Sequence, residues 1–364
     1  MVPRPRTVEI PRLLHVSAGC LRDVGVLLGD HDFDLSCVLL GSGPGPSRMF
    51  AERVGTSLRD RGVRVLHLSH LSGRLDQAAA TASTIIEEGA TTAVAVGGGR
   101  VIDTVKLAAA RTGVDFVSVP TTVSNDGISS PIASLMGRDG ARCSHAARMP
   151  CGIVVDVTAI GSAPTTTIRA GVGDLVSNLT ACLDWRLADR EGHEQYDAFA
   201  AMIAESAARP ILDLAELASP ASLAVVAEGL LLSGLAMAAA GTSRPCSGAE
   251  HLISHALDAQ LGPAAVLHGE QVALGCLVAA AAHEWSQAPG LLRTFRRLGL
   301  PTCPEDLGIS REQLVAAVSA APGVRPDRHT ILARFVERGD VERLVMRAFD
   351  APLPALEQLP LVSA

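Results

Sequence analysis

The acids and histidines best suited to chemistry lie in three short stretches of the C-terminal half. Ala170–Asn178 (AGVGDLVSN) carries Asp174 behind Gly171 and Gly173, and Ser247–Asp258 (SGAEHLISHALD) carries His251 and His255. In a helix, positions i and i+4 share one face, so both imidazoles can reach a single cavity. Val266–Gly275 (VLHGEQVALG) places His268 where a helix begins, followed by Gly269 and Glu270. One carboxylate oxygen and two imidazoles suit a divalent ion of the zinc or iron kind, with a coordination position open to a substrate oxygen. The competing reading of two histidines on a helix is a surface pair, or a core pair whose nitrogens are hydrogen-bonded. His193 and His283 lack a comparable setting and read as structural, while Glu250 and Glu270 read as neighbours that support ligands or face solvent.

A second group of chemically useful residues precedes these. From Ala93 the chain reads as a strand to Val96, three glycines (Gly97, Gly98, Gly99) and a helix from Val101 to Thr112. A second strand, Phe116–Val119, then ends at Pro120 in the loop TTVSNDG. This is a βαβ unit of an open parallel sheet, which binds ligands beyond the carboxyl ends of its strands. The glycines let the backbone approach a pyrophosphate, and the helix N-terminus favours its charge. The hydroxyls of Thr121, Thr122 and Ser124 can bond another part of the same phosphate-bearing cofactor. Asp103 either contacts that cofactor or merely complements the helix dipole. Asp126-Gly127 is either a plain turn or a substrate contact at a strand end facing a cleft.

These residues need a frame. Cys37–Leu40, Val63–Leu68 and Gly152–Asp156 read as further buried strands, alternating with helices near 48–59 and 75–89. In the second of these helices Ala78, Ala82, Ile85 and Ile86 are expected to face the sheet. The loop GSGPGPS (Gly41–Ser47) looks like a phosphate fingerprint, yet Pro44 and Pro46 lack N–H groups, so a turn into a helix is preferred. After Ala163-Pro164 helical patterns take over: 167–190, 195–208, 221–240, 247–259, 270–286, 289–298, 310–320 and 339–349. The expectation is an α/β protein with a Rossmann-like parallel-sheet domain at 1–163 and an all-helical domain at 164–364, the active site lying in the cleft between them.

With 48% hydrophobic but only 3% aromatic residues, the core must be built from Ala, Leu and Val. The net charge of −7 and the lack of a basic cluster argue against a nucleic-acid partner. Eight cysteines without a C-x-x-C pair read as apolar filling in a reducing compartment. The N-terminus lacks a signal-peptide core, and the apolar run Ala221–Ala240 is broken by Glu228, so it reads as a buried helix of a cytoplasmic protein without membrane insertion. An Ala/Leu-rich helical half could also supply the face of a homo-oligomer.

The series VGGGRVIDTVKLAAA, VPTTVSNDGISSP, GVGDLVSNLTACLDWRLA, SGAEHLISHALD and HGEQVALG, in this order, resembles the glycerol-1-phosphate dehydrogenase family. That family belongs to the group that includes glycerol dehydrogenase, iron-containing alcohol dehydrogenases and 3-dehydroquinate synthase. The resemblance implies metal ligation by Asp174, His251 and His268, with zinc expected and iron or nickel as alternatives. It places substrate contacts on Asp126, Asp174 and His255, with catalytic roles for Asp126 and His255. Cofactor contacts fall on Gly99, Arg100, Val101, Ile102 and Asp103, on Thr121, Thr122, Val123 and Ser124, and on Ser130, beside the Gly97 and Gly98 already read from the turn. The implied reaction is reversible reduction of dihydroxyacetone phosphate to sn-glycerol 1-phosphate with NAD or NADP, on a small phosphorylated substrate. Arg100 stands where relatives commonly carry lysine, and Ile132 is uncharged where some carry a basic residue. Competing readings are a dehydrogenase of another phosphate- or phosphonate-bearing hydroxy compound, a 3-dehydroquinate-synthase-like cyclase, and a silent nucleotide binder. A cyclase relies on added lysines and arginines around its substrate, and Lys106 is the only lysine in the chain.

Overall fold

The computed structural model describes residues 8–350 apart from 139 and 141. Its N-terminal part contains β1 (Leu13–Ser17), α1 (Val24–Asp30), β2 (Cys37–Ser42), α2 (Ser47–Arg59), β3 (Arg64–Leu68) and α3 (Leu75–Glu88). There follow β4 (Thr92–Gly97), α4 (Gly99–Thr112), β5 (Asp115–Pro120), β6 (Ile132–Met136), β7 (Arg142–Ala146) and β8 (Gly152–Asp156). Six strands form one parallel sheet in the order β1-β8-β5-β4-β2-β3. From β2 the chain winds outward to β3, then returns across β2 to β4 and continues the other way. The direction therefore reverses between β2 and β4, so their carboxyl ends flank the crevice where such sheets take ligands. The loop at Gly41–Ser47 and the glycines at Gly97–Gly99 meet there.

The central strands are apolar on both faces: Val38, Leu39, Ala93, Val94, Val117 and Val119 are all fully buried. That is the pattern of parallel strands covered by helices on both sides. The expected strands and helices of this part are present with small changes at their ends. Two features differ from expectation. Ile86 is 71% exposed, and Thr81 takes the inward position beside Ala78 and Ile85. The antiparallel hairpin β6–β7 was not expected. Its second strand, RCSHA, is largely exposed and carries no apolar alternation.

The later segments are α5 (Val157–Gly161), α6 (Thr165–Arg190), α7 (Ala198–Ala208), α8 (Pro220–Ala240), α9 (Ala249–Leu261) and α10 (His268–Ala282). They end with α11 (Ala288–Leu298), α12 (Arg311–Val324) and α13 (Arg338–Asp350). Among the described residues no strand follows β8. Helix α8 is long and apolar enough to cross a membrane, but it packs on α6 and α7 and sends Val226, Ala227 and Leu230 into the core. That core is continuous: Ile102, Val123 and Ile153 from the sheet side share one cluster with Val172, Leu230 and Val272 from the helical side.

Candidate active site

Three glycines set how closely the helical side approaches the sheet side. A methyl group on Gly171 of α6 would overlap the carbonyl oxygen of Val123, and one on Gly173 the carbonyl oxygen of Gly269 in α10. One on Gly269 would in turn overlap the carbonyl oxygen of Ala170. Backbone therefore rests on backbone where α6 crosses both the loop after β5 and the first turn of α10. Asp174 and His268 ride on this contact.

Helix α9 is fixed at its start by fully buried carboxylates. Asp184 accepts the Ala249 N–H at 2.7 Å, and also binds His283 and the Ile331 N–H. Glu250 accepts the Gly248 N–H at 2.5 Å and the Thr180 hydroxyl at 2.9 Å. Glu250 also holds Nδ1 of His251 at 3.1 Å, turning Nε2 toward Asp174. His268 is held likewise: its Nδ1 lies 2.9 Å from Ser254 Oγ, which donates to Gln271 Oε1. Both imidazoles thus present Nε2 to Asp174 Oδ1, at 3.5 Å for His251 and 3.8 Å for His268. One ligand atom from each of the three residues fits within 4.8 Å. Imidazoles anchored through their distal nitrogen are the usual mark of metal ligands.

His255 stands one turn beyond His251 on α9, exposed, with its ring stacked 5.6 Å from that of His268. A second ligand-like group, His255, Asp258 and His268, shares His268 with the first. The orientation of His268 favours the first group, because its Nε2 faces Asp174 while Asp258 is bonded to Gln271 Nε2 at 3.0 Å. The remaining oxygen of Asp174, Oδ2, accepts the backbone N–H of Asp126 at 2.9 Å. The triad and the loop beyond β5 therefore form one bonded unit.

Charge in this unit follows from burial and neighbours. Burial raises Asp126 and the like charge of Asp174 adds to this, pushing its carboxyl up to about 8. Burial pulls His251 down, but Asp174 and Glu250 outweigh it and leave the imidazole at about 9. Burial also raises Asp174, yet His251 overrides this and holds the carboxyl below its ordinary value. His268 is driven down to about 3 by burial and by His251. Its imidazole is neutral near pH 7, the form able to take a metal ion.

The glycine turn leads from the end of β4 straight into α4. Gly98 precedes α4 without any side-chain cap, and of the first four N–H groups of that helix only those of Val101 and Ile102 bond the Gly98 carbonyl. A methyl at Gly98 would lie 2.9 Å from Thr122 Oγ1, whereas at Gly99 the nearest atoms, from Asn125, are 3.9 Å away. Asn125 was not among the expected site residues. It caps the turn that follows, accepting the Gly127 N–H at 2.9 Å, and joins the glycine turn to Asp126. The N-D pair was the signal that could have found it.

Other expected cofactor contacts are placed differently. Val101, Ile102 and Val123 point into the core, and the N–H groups of Val101 and Ile102 already bond Gly98. Arg100 is exposed, and Thr121 is buried with its N–H on Gly97. Ser124 is half-buried, and Ser130 is buried with its hydroxyl 3.4 Å from the Ile132 carbonyl. The Asp103 carboxylate is taken up by the protein itself, bonding Lys106 Nζ at 3.0 Å and the Ser134 N–H at 3.0 Å. Lys106, fully buried, also donates to the carbonyls of Gly127 and Ile132, each at 2.7 Å. It ties the helix, the Asp126 loop and the hairpin together.

A glycine turn at the switch point of a parallel sheet, packed against helices carrying Asp174, His251 and His268, is the arrangement of a metal-dependent, dinucleotide-linked dehydrogenase. The family described as iron-containing alcohol dehydrogenase matches residues 15–164. Among solved structures, the chain resembles glycerol dehydrogenase from Schizosaccharomyces pombe, with a TM-score of 0.76 at 18% identity over 99% of this chain and 98% of that one. It also resembles maleylacetate reductase from Agrobacterium tumefaciens, with a TM-score of 0.70 at 19% identity over 97% of this chain and 100% of that one. Within the class the relatives are more specific. Glycerol-1-phosphate dehydrogenase [NAD(P)+] from Hyperthermus butylicus is 37% identical over 89% of this chain and 93% of its own length. The Thermococcus kodakarensis enzyme of the same name is 42% identical over 71% of this chain and 74% of its own. The chain belongs to the glycerol-1-phosphate dehydrogenase family, a family of oxidoreductases.

Proposed function

We propose that this protein is a cytoplasmic, metal-dependent, NAD(P)-linked dehydrogenase that reversibly reduces dihydroxyacetone phosphate to sn-glycerol 1-phosphate. The observation that carries the reading is the double engagement of Asp174, whose Oδ1 faces two imidazole nitrogens while its Oδ2 bonds the Asp126 N–H. Asp174, His251 and His268 are the residues that would hold the metal, and two imidazoles with one carboxylate suit zinc with a position left open. When bound, such an ion supplies Lewis acidity toward a carbonyl or alcohol oxygen. The turn at Gly97–Gly99 and the N–H groups of α4 would hold the pyrophosphate of a nicotinamide dinucleotide, which supplies the hydride.

The chain's own side chains do the rest. Asp126 is held against the triad by its backbone bond and orients the substrate's hydroxyl. His255, open to solvent beside His268, passes a proton between that hydroxyl and water. Asn125 keeps the Asp126 turn aligned with the glycines. A cyclase is disfavoured because Lys106, the chain's one lysine, is buried with all three protons donated.

The test is NADH or NADPH oxidation by zinc-loaded protein with dihydroxyacetone phosphate, followed at the nicotinamide absorbance band. Turnover giving the sn-1 product is expected. Turnover with a different phosphorylated ketone alone overturns the substrate assignment. No turnover by protein that also takes up no metal overturns the enzyme reading.

A further inference from the structure

A second set of metal-ligating side chains lies at the far end of α6, apart from the triad around Asp174. The helix ends at Arg190, and Glu191 and His193 follow it; His329 reaches the same spot from the segment between α12 and α13. One ligand atom from each of these three residues lies within 4.8 Å of the others. His193 and His329 stack with ring centroids 3.8 Å apart and planes at 17°. His329 Nε2 meets Glu191 Oε2 at 2.6 Å.

Both imidazoles are anchored through their backbones. The His193 N–H bonds the Ala188 carbonyl at 2.8 Å, and the His329 carbonyl accepts from Arg244 Nη2 at 2.9 Å. The other carboxylate oxygen of Glu191 is held by Arg334, which leaves Oε2 turned toward the histidines. All three side chains reach solvent: Glu191 is 32% and His329 18% exposed, and His193 is an exposed residue.

We propose that Glu191, His193 and His329 form a second site for a zinc-class divalent cation, distinct from the triad at Asp174. Two imidazoles and a carboxylate are a complete zinc donor set, the remaining position being filled by water. Metal–nitrogen and metal–oxygen bonds of about 2.0–2.1 Å place tetrahedral ligand atoms roughly 3.3 Å apart. The His329–Glu191 pair opens by roughly 0.7 Å from its present 2.6 Å as the ion takes the place of the shared proton, and the two stacked rings must splay from 3.8 Å to roughly 5 Å between centroids to aim a nitrogen each at one tetrahedral ion. Arg334 opposes the ion through its charge, which keeps this site weaker than the buried one. An ion here would tie the end of the helix that carries Asp174 to the segment preceding α13. Because it binds only the folded chain, it stabilises that chain by mass action.

The test uses full-length protein stripped of metal and then dialysed against Zn2+, with bound zinc measured by mass spectrometry. In the His268→Ala background, which removes the other site, one equivalent of zinc is expected to remain and to raise the melting temperature. Adding His193→Ala or Glu191→Gln to that background is expected to remove the remaining equivalent. His193→Ala alone is expected to hold one equivalent fewer than the unaltered chain and to keep its turnover. Arg334→Met is expected to tighten zinc binding several-fold. The proposal is overturned if the His268→Ala protein holds no zinc. It is equally overturned if His193→Ala and Glu191→Gln leave the retained zinc unchanged.

Discussion

Replacing Gly269 by alanine tests whether the backbone contact between α6 and α10 sets the metal geometry. The added methyl would overlap the Ala170 carbonyl oxygen and lie 2.5 Å from the Ala170 carbonyl carbon, where ordinary contact begins at 3.4 Å. The helices must therefore part by more than about 0.9 Å, the difference of those two distances, since the carbonyl oxygen lies closer still and backbone cannot move aside as a flexible side chain can. Metal–ligand distances tolerate only about 0.2 Å. Asp174 sits on one helix and His268 on the other, so the separation falls directly on the triad. Overpacking of this kind costs about 1–3 kcal/mol, which a protein of this size survives. Gly269→Ala is thus expected to remain folded and to bind NADH, while zinc affinity at the Asp174 site falls by about 10–100-fold. Equilibrium dialysis with metal analysis reads the affinity, and circular dichroism reads the folding. Gly290→Ala, whose methyl would meet only Arg293 Nη2 at 3.8 Å, serves as the neutral control. Zinc affinity unchanged in Gly269→Ala would refute the argument, because the contact would then be plastic.

Glu250→Gln removes the carboxylate behind His251 Nδ1 and should weaken zinc binding by about 10–100-fold while leaving NADH binding intact; calorimetric titration of each ligand checks this. Asp126→Asn should abolish turnover and spare both zinc and NADH binding, a split that steady-state kinetics and equilibrium binding together reveal. Zinc uptake by metal-stripped protein should release protons, since His251 at about 9 carries a proton at pH 7 that ligation displaces, and Asp126 at about 8 loses its own as the ion offsets Asp174. Calorimetry in buffers of different ionisation enthalpy should count about one to two protons at pH 7, falling toward none as pH rises past 9; no release at pH 7 contradicts the assignment. Lys106→Met strands the Asp103 carboxylate and should cost about 3–5 kcal/mol in denaturant unfolding, much of it recovered in Lys106→Met/Asp103→Leu.

The parts of this fold that sequence makes legible are those whose periodicity is enforced by burial. Strands such as Cys37–Ser42 are apolar on both faces because helices cover both, and glycine punctuation at Gly89 and Gly113 ends α3 and α4 in left-handed caps. The hairpin β6–β7 escapes because its outer strand faces solvent and buries almost nothing. Ile86 misleads for a related reason: it adjoins Ile85 on α3, and a helix of that curvature has room for only one of them against the sheet. Asp103 escapes more deeply. Its place near a helix start suggests a ligand contact, and only the three-dimensional position of Lys106 and Ser134 shows that both carboxylate oxygens already have partners within the fold.

The convergence of Asp174, His251 and His268 depends on features that no spacing rule contains. Spacing says that His251 and His255 share a face, yet it cannot say which of them meets Asp174. That choice is made by what lies behind each ring. His251 has a buried carboxylate at Nδ1 and His268 has a hydroxyl bonded to Gln271, whereas His255 opens to solvent. The glycines supply the remaining condition, since only residues without a side chain let α6 lie on the Val123 and Gly269 carbonyls. Gly171, Gly173 and Gly269 flank the functional residues because they set the distance between them. A change at any of these glycines should therefore look like loss of a ligand, not loss of the fold.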